Sequence, residues 1–195
     1  MKNNKLSILS VRLLILCAVA LIVSIFVPIW VIYLEAPQYP EGLEMYLHAN
    51  KISGDYQIIN GLNHYIGMKE IHQEDFWEFK VLPYILVFFA VFAFAVAWFR
   101  KIIGLYSFCI LFTLFGIAFM VDFYLWEYDY GHNLKPDAAI VVPGMTYQPP
   151  LLGYKQLLNF GAYSYPYTGG WIMITVALVA LILSFFGIVN LIYFL

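Results

Sequence analysis

The sequence contains little charge and almost no cysteine. Only 11% of its residues are Asp, Glu, Lys or Arg, and four runs contain none of these and no histidine: residues 13–34, 81–99, 102–121 and 171–195. The two cysteines, Cys17 and Cys109, lie inside the first and third runs. Disulfides therefore do not hold the polar segments between the runs. This sets aside claudin-like and tetraspanin-like proteins, whose extracellular segments depend on cysteines.

Motifs for enzymatic chemistry are also missing. The chain has no Gly-rich phosphate loop, no nucleophile elbow and no HExxH zinc motif, and Ser164 has no base beside it in sequence. Hydrolase triads assemble in space, so that class stays open, but the sequence predicts a protein that is not an enzyme. The apolar runs contain no histidine for haem ligation, and their few polar residues argue against a transporter's ion path.

The four apolar runs predict transmembrane helices. Each is close to the roughly 20 residues that a helix needs to cross about 30 Å of hydrocarbon. The predicted fold class is an all-α integral membrane protein of one domain, residues 1–195, with four transmembrane helices. The polar segments, residues 35–80 and 122–170, are short, so we expect them to fold together as a cap on the bundle. The first run is too long for a signal-peptide core, which predicts an uncleaved anchor.

Charge is distributed unequally between the two sides of the predicted helices. All twelve acidic residues and all four histidines lie in the polar segments, which also carry five lysines and so have a net charge of −7. The other basic residues are Lys2, Lys5, Arg12, Arg100 and Lys101. Because basic flanks are retained in the cytoplasm, both termini are predicted to be cytoplasmic. The acidic outer side argues against nucleic acid as a partner, and the helices predict contact with membrane lipid.

A histidine and methionine pattern in the first polar segment indicates a metal site. Residues 62–79 predict a short amphipathic helix on which His64, Met68 and His72 share one face at intervals of four residues. Two imidazoles and a thioether form a ligand set that suits copper. Residues eight apart cannot close on one ion without distortion, so a further ligand is required. The available donors are Met45, His48, His132 and Met145.

The same residues also allow structural interpretations. Gly67 lies inside the predicted helix and costs it about 1 kcal/mol relative to Ala, so the segment is alternatively an irregular loop. Met68 is alternatively a packing residue, and His64 alternatively forms a hydrogen bond with nearby backbone.

Four stretches resemble motifs of a known family: residues 36–43 (APQYPEGL), 60–68 (NGLNHYIGM), 130–134 (YGHNL) and 149–153 (PPLLG). They are similar to those of a poorly characterised family of small four-helix bacterial membrane proteins found near nitrous oxide reductase and copper-maturation genes. The resemblance covers nearly the whole chain and implies a bacterial cytoplasmic membrane, with the polar segments in the periplasm. It also favours copper and places His64, Met68 and His132 inside family motifs, whereas His48 and His72 lie outside them.

Two functional hypotheses follow. The first is a membrane-anchored accessory or assembly factor with a periplasmic His/Met copper site, which serves nitrous oxide reductase maturation or electron supply and meets a reductase or a copper chaperone. The alternative is a metal-free structural subunit that docks onto a larger membrane or periplasmic complex. The second is favoured by polar segments that are short, acidic and rich in aromatic residues, a composition suited to a partner surface.

Overall fold

The order of helices and strands differs from that of a simple helical bundle. The computed structural model describes residues 5–193, with side chains as far as residue 187. Along these residues the elements are α1 (Ile8–Ser24), β1 (Trp30–Ala36), β2 (Tyr39–Leu47), β3 (Ile52–Gly54), α2 (Tyr56–Tyr65), a 3-10 turn (Gln73–Asp75), α3 (Glu78–Phe99), α4 (Ile102–His132), β4 (Gly153–Leu157), β5 (Phe160–Pro166) and α5 (Thr168–Tyr193).

Within the described residues three helices are long and apolar enough to cross a membrane, which makes this a multi-pass membrane protein. They are α3, α4 and the Thr168–Gly187 part of α5. The fourth helix, α1, has 17 residues and so rises only about 25 Å. It packs against α3 and α5, and α4 contacts the same two helices, so the four form one bundle. Leu14, Leu86, Phe108 and Val176 bring one buried side chain from each helix to its core.

The polar segments combine in one antiparallel sheet with the strand order β3-β2-β1-β5-β4. The central pair joins distant parts of the chain, because β1 runs from the end of the first apolar run into the first polar segment and β5 belongs to the second. Ile32 lies opposite Ser164 in this pair. The indole Nε1 of Trp30 donates a hydrogen bond to Ser164 Oγ at 2.7 Å across the same strands. We call the sheet, α2, their loops and the end of α4 the cap (residues 29–77 and 122–167).

The predicted all-α fold class is wrong, because this sheet makes the protein mixed α/β. The error begins in the first apolar run, which was expected to be helical over residues 13–34. Instead α1 ends at Ser24 and β1 begins at Trp30. Pro28 lies in the connecting segment, where its missing N–H costs no helical hydrogen bond. Within β1, Trp30 and Ile32 are buried beneath the sheet, while Val31 lies on the opposite face.

The predicted helix over residues 62–79 is also wrong. Helix α2 ends at Tyr65, and Gly67 follows with a φ of +78°. The N–H of Met68 donates to Asn63 O at 3.0 Å, which is the hydrogen bond of a Schellman helix end, where glycine is favoured. The chain then runs extended beneath α2, where the Asn60 side chain accepts a hydrogen bond from Ile71 N at 2.7 Å and donates one to Ile71 O at 3.0 Å.

Helix α4 connects the bundle with the cap. It has 31 residues and rises about 46 Å, about 16 Å more than the hydrocarbon is thick. Its last eleven residues pack under the inner face of the sheet, where the Phe123 and Trp30 rings meet edge to face at 5.4 Å. Tyr130 and Tyr147 are buried in the same cluster as Met45 of β2. The cap is therefore fixed to the membrane part through a continuous helix.

Candidate functional sites on the cap

The fold separates the predicted copper ligands of the first polar segment. His64 is exposed in the last turn of α2, whereas Met68 is only 6% exposed and belongs to the cap core. Met68 and Met45 line a small apolar cavity of about 60 Å³. His72 lies beyond the helix end and is exposed, with its Nε2 3.3 Å from Glu70 Oε2. His64, Met68 and His72 therefore do not share one helical face.

The two remaining candidate ligands lie in different surroundings. The His132 ring stacks on Tyr128 with the centroids 3.9 Å apart, and its Nδ1 lies 2.9 Å from Tyr128 O. The Nε2 of His48 lies 2.9 Å from Ser53 Oγ. Among the described residues no three His, Cys, Asp or Glu side chains converge as a metal site would require. The copper site stays a prediction from the sequence.

The outward face of the sheet carries a continuous group of tyrosines. Successive residues of a strand alternate between the two faces, and residues paired across strands share a face. Five strand tyrosines lie on the outward face, and Tyr167, just after β5, packs against one of them, Tyr46. The six are Tyr33, Tyr46, Tyr154, Tyr163, Tyr165 and Tyr167. Ring centroids are 5.8 Å apart for Tyr33 and Tyr163, and 4.7 Å apart for Tyr154 and Tyr163. Tyr154 and Tyr165 are 50% and 43% exposed. We call this surface the tyrosine face.

Charge on the tyrosine face is entirely negative among the strand residues described. Glu35 of β1 and Glu44 of β2 point to this side, and no Lys, Arg or His of the five strands does. Tyr163 donates a hydrogen bond to Glu35 Oε2 at 3.4 Å, and Tyr46 donates one to Glu44 Oε2. The hydrogen bond with Glu44 is the largest of the effects that raise the pKa of Tyr46. At neutral pH the face therefore presents phenol hydroxyls beside two carboxylates.

A second site is a cavity of about 250 Å³ between the cap and the membrane helices, which we call the junction cavity. The sheet contributes Trp30 and Leu47 to its walls, the chain before α3 contributes Phe76, and α4 contributes Phe123 and Trp126. The Phe76 and Trp126 rings lie 5.2 Å apart. The cavity lies where α3 begins and where α4 leaves its apolar run, so it is at the level of the membrane surface.

Polar groups in the junction cavity are few and mostly acidic. Asp75, Glu78 and Asp122 line it together with His48. Glu78 and Asp122 are close neighbours although they come from different helices. Burial, and to a smaller extent the nearby Lys51 ammonium, lowers the pKa of His48, which favours its neutral imidazole.

Glu127 is a notable residue that sequence reasoning missed. It is 0% exposed, and neither carboxyl oxygen has a hydrogen-bond partner within the described part of the chain. It lies on α4 one turn before Gly131, on the side that faces the loop at Gln148. It was not among the residues singled out from the sequence, and it is enclosed because α4 continues past the apolar run into the cap.

No protein-family model, curated protein or solved structure matches this chain. The resemblance drawn from the four sequence motifs therefore stays a prediction.

Proposed function

We propose that this protein is an accessory subunit of a bacterial cytoplasmic-membrane complex. Its bundle anchors it in the bilayer, its cap faces the periplasm, and the tyrosine face docks a protein partner that presents a basic surface. The observation that carries the proposal is a sheet face with six tyrosines, of which Tyr154, Tyr165 and Tyr167 are exposed.

The composition of this face supports a protein partner. Tyrosine combines a large apolar ring with a hydroxyl and loses little conformational entropy when it is fixed, which is why it is enriched in binding surfaces. Five of the six tyrosines lie on paired strands rather than on loops, as Tyr163 opposite Tyr33 shows. A partner therefore meets a surface that needs little reorganisation, and this reduces the cost of association.

The negative charge of the tyrosine face favours a partner surface of positive charge. Glu35 and Glu44 are exposed, and the polar segments carry a net charge of −7. Complementary potentials direct encounter and suppress wrong partners. A basic partner surface fits this arrangement, and the association should weaken at high salt because exposed charges are screened.

The proposal predicts a specific effect of Tyr165→Ala. In native membranes solubilised with mild detergent, the wild-type protein is expected to co-purify with an equimolar partner. Tyr165→Ala should reduce that partner by about 30-fold, which is the effect of losing an interface residue that contributes about 2 kcal/mol.

Tyr65 provides the matched control, because it is 57% exposed on α2 and lies away from the tyrosine face. Tyr65→Ala should keep the partner at the wild-type level, and raised salt should release it from both proteins. Equal recovery of the partner with Tyr165→Ala and wild type would contradict the proposal, as would a wild-type protein that purifies alone.

A further inference from the structure

We propose that the junction cavity binds the ammonium headgroup of a zwitterionic phospholipid from the surrounding bilayer. This site is separate from the tyrosine face and does not depend on the docking function. Its ligand is identified by the position of the cavity, by its acidic groups and by its aromatic walls.

The position of the cavity favours a ligand that comes from the membrane. Its walls include Leu82 of α3 and Phe119 of α4, which belong to the apolar parts of two membrane helices. Leu125, a further wall residue, is 58% exposed. An apolar wall that continues from the cavity onto lipid-facing helices allows a lipid to keep its chains in the bilayer while its headgroup enters. The volume of about 250 Å³ suits a headgroup rather than a whole lipid.

The acidic groups of the cavity favour a cationic ligand: Asp75 and Asp122 are exposed to an incoming ligand, and Glu78 is half-buried. Asp75, Glu78 and Asp122 form no ion pair with any side chain described for this protein. Two adjacent carboxylates raise each other's energy when both are ionised, and a cation between them removes that repulsion. His48 does not supply the positive charge, because burial lowers its pKa and favours the neutral imidazole.

The aromatic walls select an ammonium group over a metal ion. The Phe76 ring lies 5.4 Å from Phe79 and 5.2 Å from Trp126, and Trp30 and Phe123 complete the wall. A cation over aromatic faces is attracted by the ring quadrupole, an interaction used to bind organic ammonium ions. The acidic residues do not converge as metal ligands within the described side chains.

The experiment measures lipid retention by native mass spectrometry. Delipidated protein in detergent is mixed with phosphatidylethanolamine, with phosphatidylglycerol, or with free ethanolamine. We expect an equimolar complex with phosphatidylethanolamine, at least about tenfold weaker binding of phosphatidylglycerol, and no complex with ethanolamine. The double variant Glu78→Gln, Asp122→Asn should weaken phosphatidylethanolamine binding at least about tenfold, because two charge-assisted hydrogen bonds are lost.

Two further variants distinguish a loss of the binding site from misfolding of the protein. Glu74→Gln changes a neighbouring exposed acid that does not line the cavity and should bind like wild type. Phe76→Leu keeps an apolar wall but removes a ring, and should weaken binding about fivefold. Equal binding of the two phospholipids, unchanged binding by both cavity variants, or ethanolamine binding as tight as that of the lipid would overturn the proposal.

Discussion

Gly131→Ala is expected to lower the melting temperature of the protein by about 6–12 °C, which corresponds to a loss of about 3 kcal/mol in a chain of this size. Gly131 lies where the end of α4 meets the loop at Gln148, and a Cβ there would overlap Gln148 Cα and N. The Tyr147 N–H also donates to Gly131 O at 2.9 Å. Because backbone atoms cannot rotate aside as a side chain does, the methyl group would push helix and loop apart and break this bond.

Gly116 in the same helix is the control. A Cβ at Gly116 would meet no atom within 4 Å, and replacing a helical glycine by alanine is favourable by up to about 1 kcal/mol. Gly116→Ala should therefore keep or slightly raise the melting temperature. Thermal unfolding, monitored by the fluorescence of the cap tryptophans, measures the melting temperature of each variant. Equal effects at Gly131 and Gly116 would contradict the close packing of α4 against the loop.

Glu127→Met is expected to increase the free energy of unfolding by about 1–3 kcal/mol, the usual cost of burying a polar group without a hydrogen bond. The Glu127 carboxyl is 0% exposed and has no partner in the described residues. The ammonium group of Lys155 lies on the same side of the cap, but it donates to Gln148 O at 2.9 Å. Methionine has a similar shape and removes the desolvation cost without opening a cavity.

Denaturant unfolding in detergent micelles measures this effect, with Glu74→Met as the comparison. Glu74 is exposed, so its replacement should change the free energy of unfolding by less than about 0.5 kcal/mol. A loss of stability in Glu127→Met would show that the buried carboxyl is stabilised by its surroundings, and the described packing around it would then be wrong.

Local composition was sufficient to predict the membrane helices of the last three apolar runs. An uncharged stretch of about 20 residues has few alternatives to a membrane helix, and α3, α4 and α5 include most of residues 81–99, 102–121 and 171–195. The predicted transmembrane segment ends at residue 121, before Asp122, whereas α4 continues to His132. Nothing local separates a helix that ends at the membrane surface from one that continues into a cap.

The sheet depends on contacts between distant parts of the chain. Trp30 lies opposite Pro166 in the pairing of β1 with β5, and no local pattern shows this. In β1 the outward residues include Val31 and Tyr33, so the strand is apolar on both faces and was predicted as helix. The alternation was visible in β2, where Leu43 and Met45 are buried and Glu44 is exposed. This segment carried the sequence signal that could have indicated a strand.

The candidate sites followed from the fold in the same way. The His64, Met68 and His72 pattern assumed a helix that Gly67 ends, so their spacing in sequence did not predict their positions in space. The tyrosine face required the strand register, because its residues come from four strands and the residue after β5. The junction cavity required the arrangement of α3 and α4 beneath the sheet.

The most direct test of the docking function is photo-crosslinking in native membranes. A photoreactive phenylalanine analogue is placed at Tyr165 in the tyrosine face or at Tyr65 on α2, which are 43% and 57% exposed. We predict one discrete crosslinked polypeptide from position 165, reduced at high salt, and none from position 65. No adduct at position 165, or the same adducts from both positions, would contradict the assignment of this face as the docking surface.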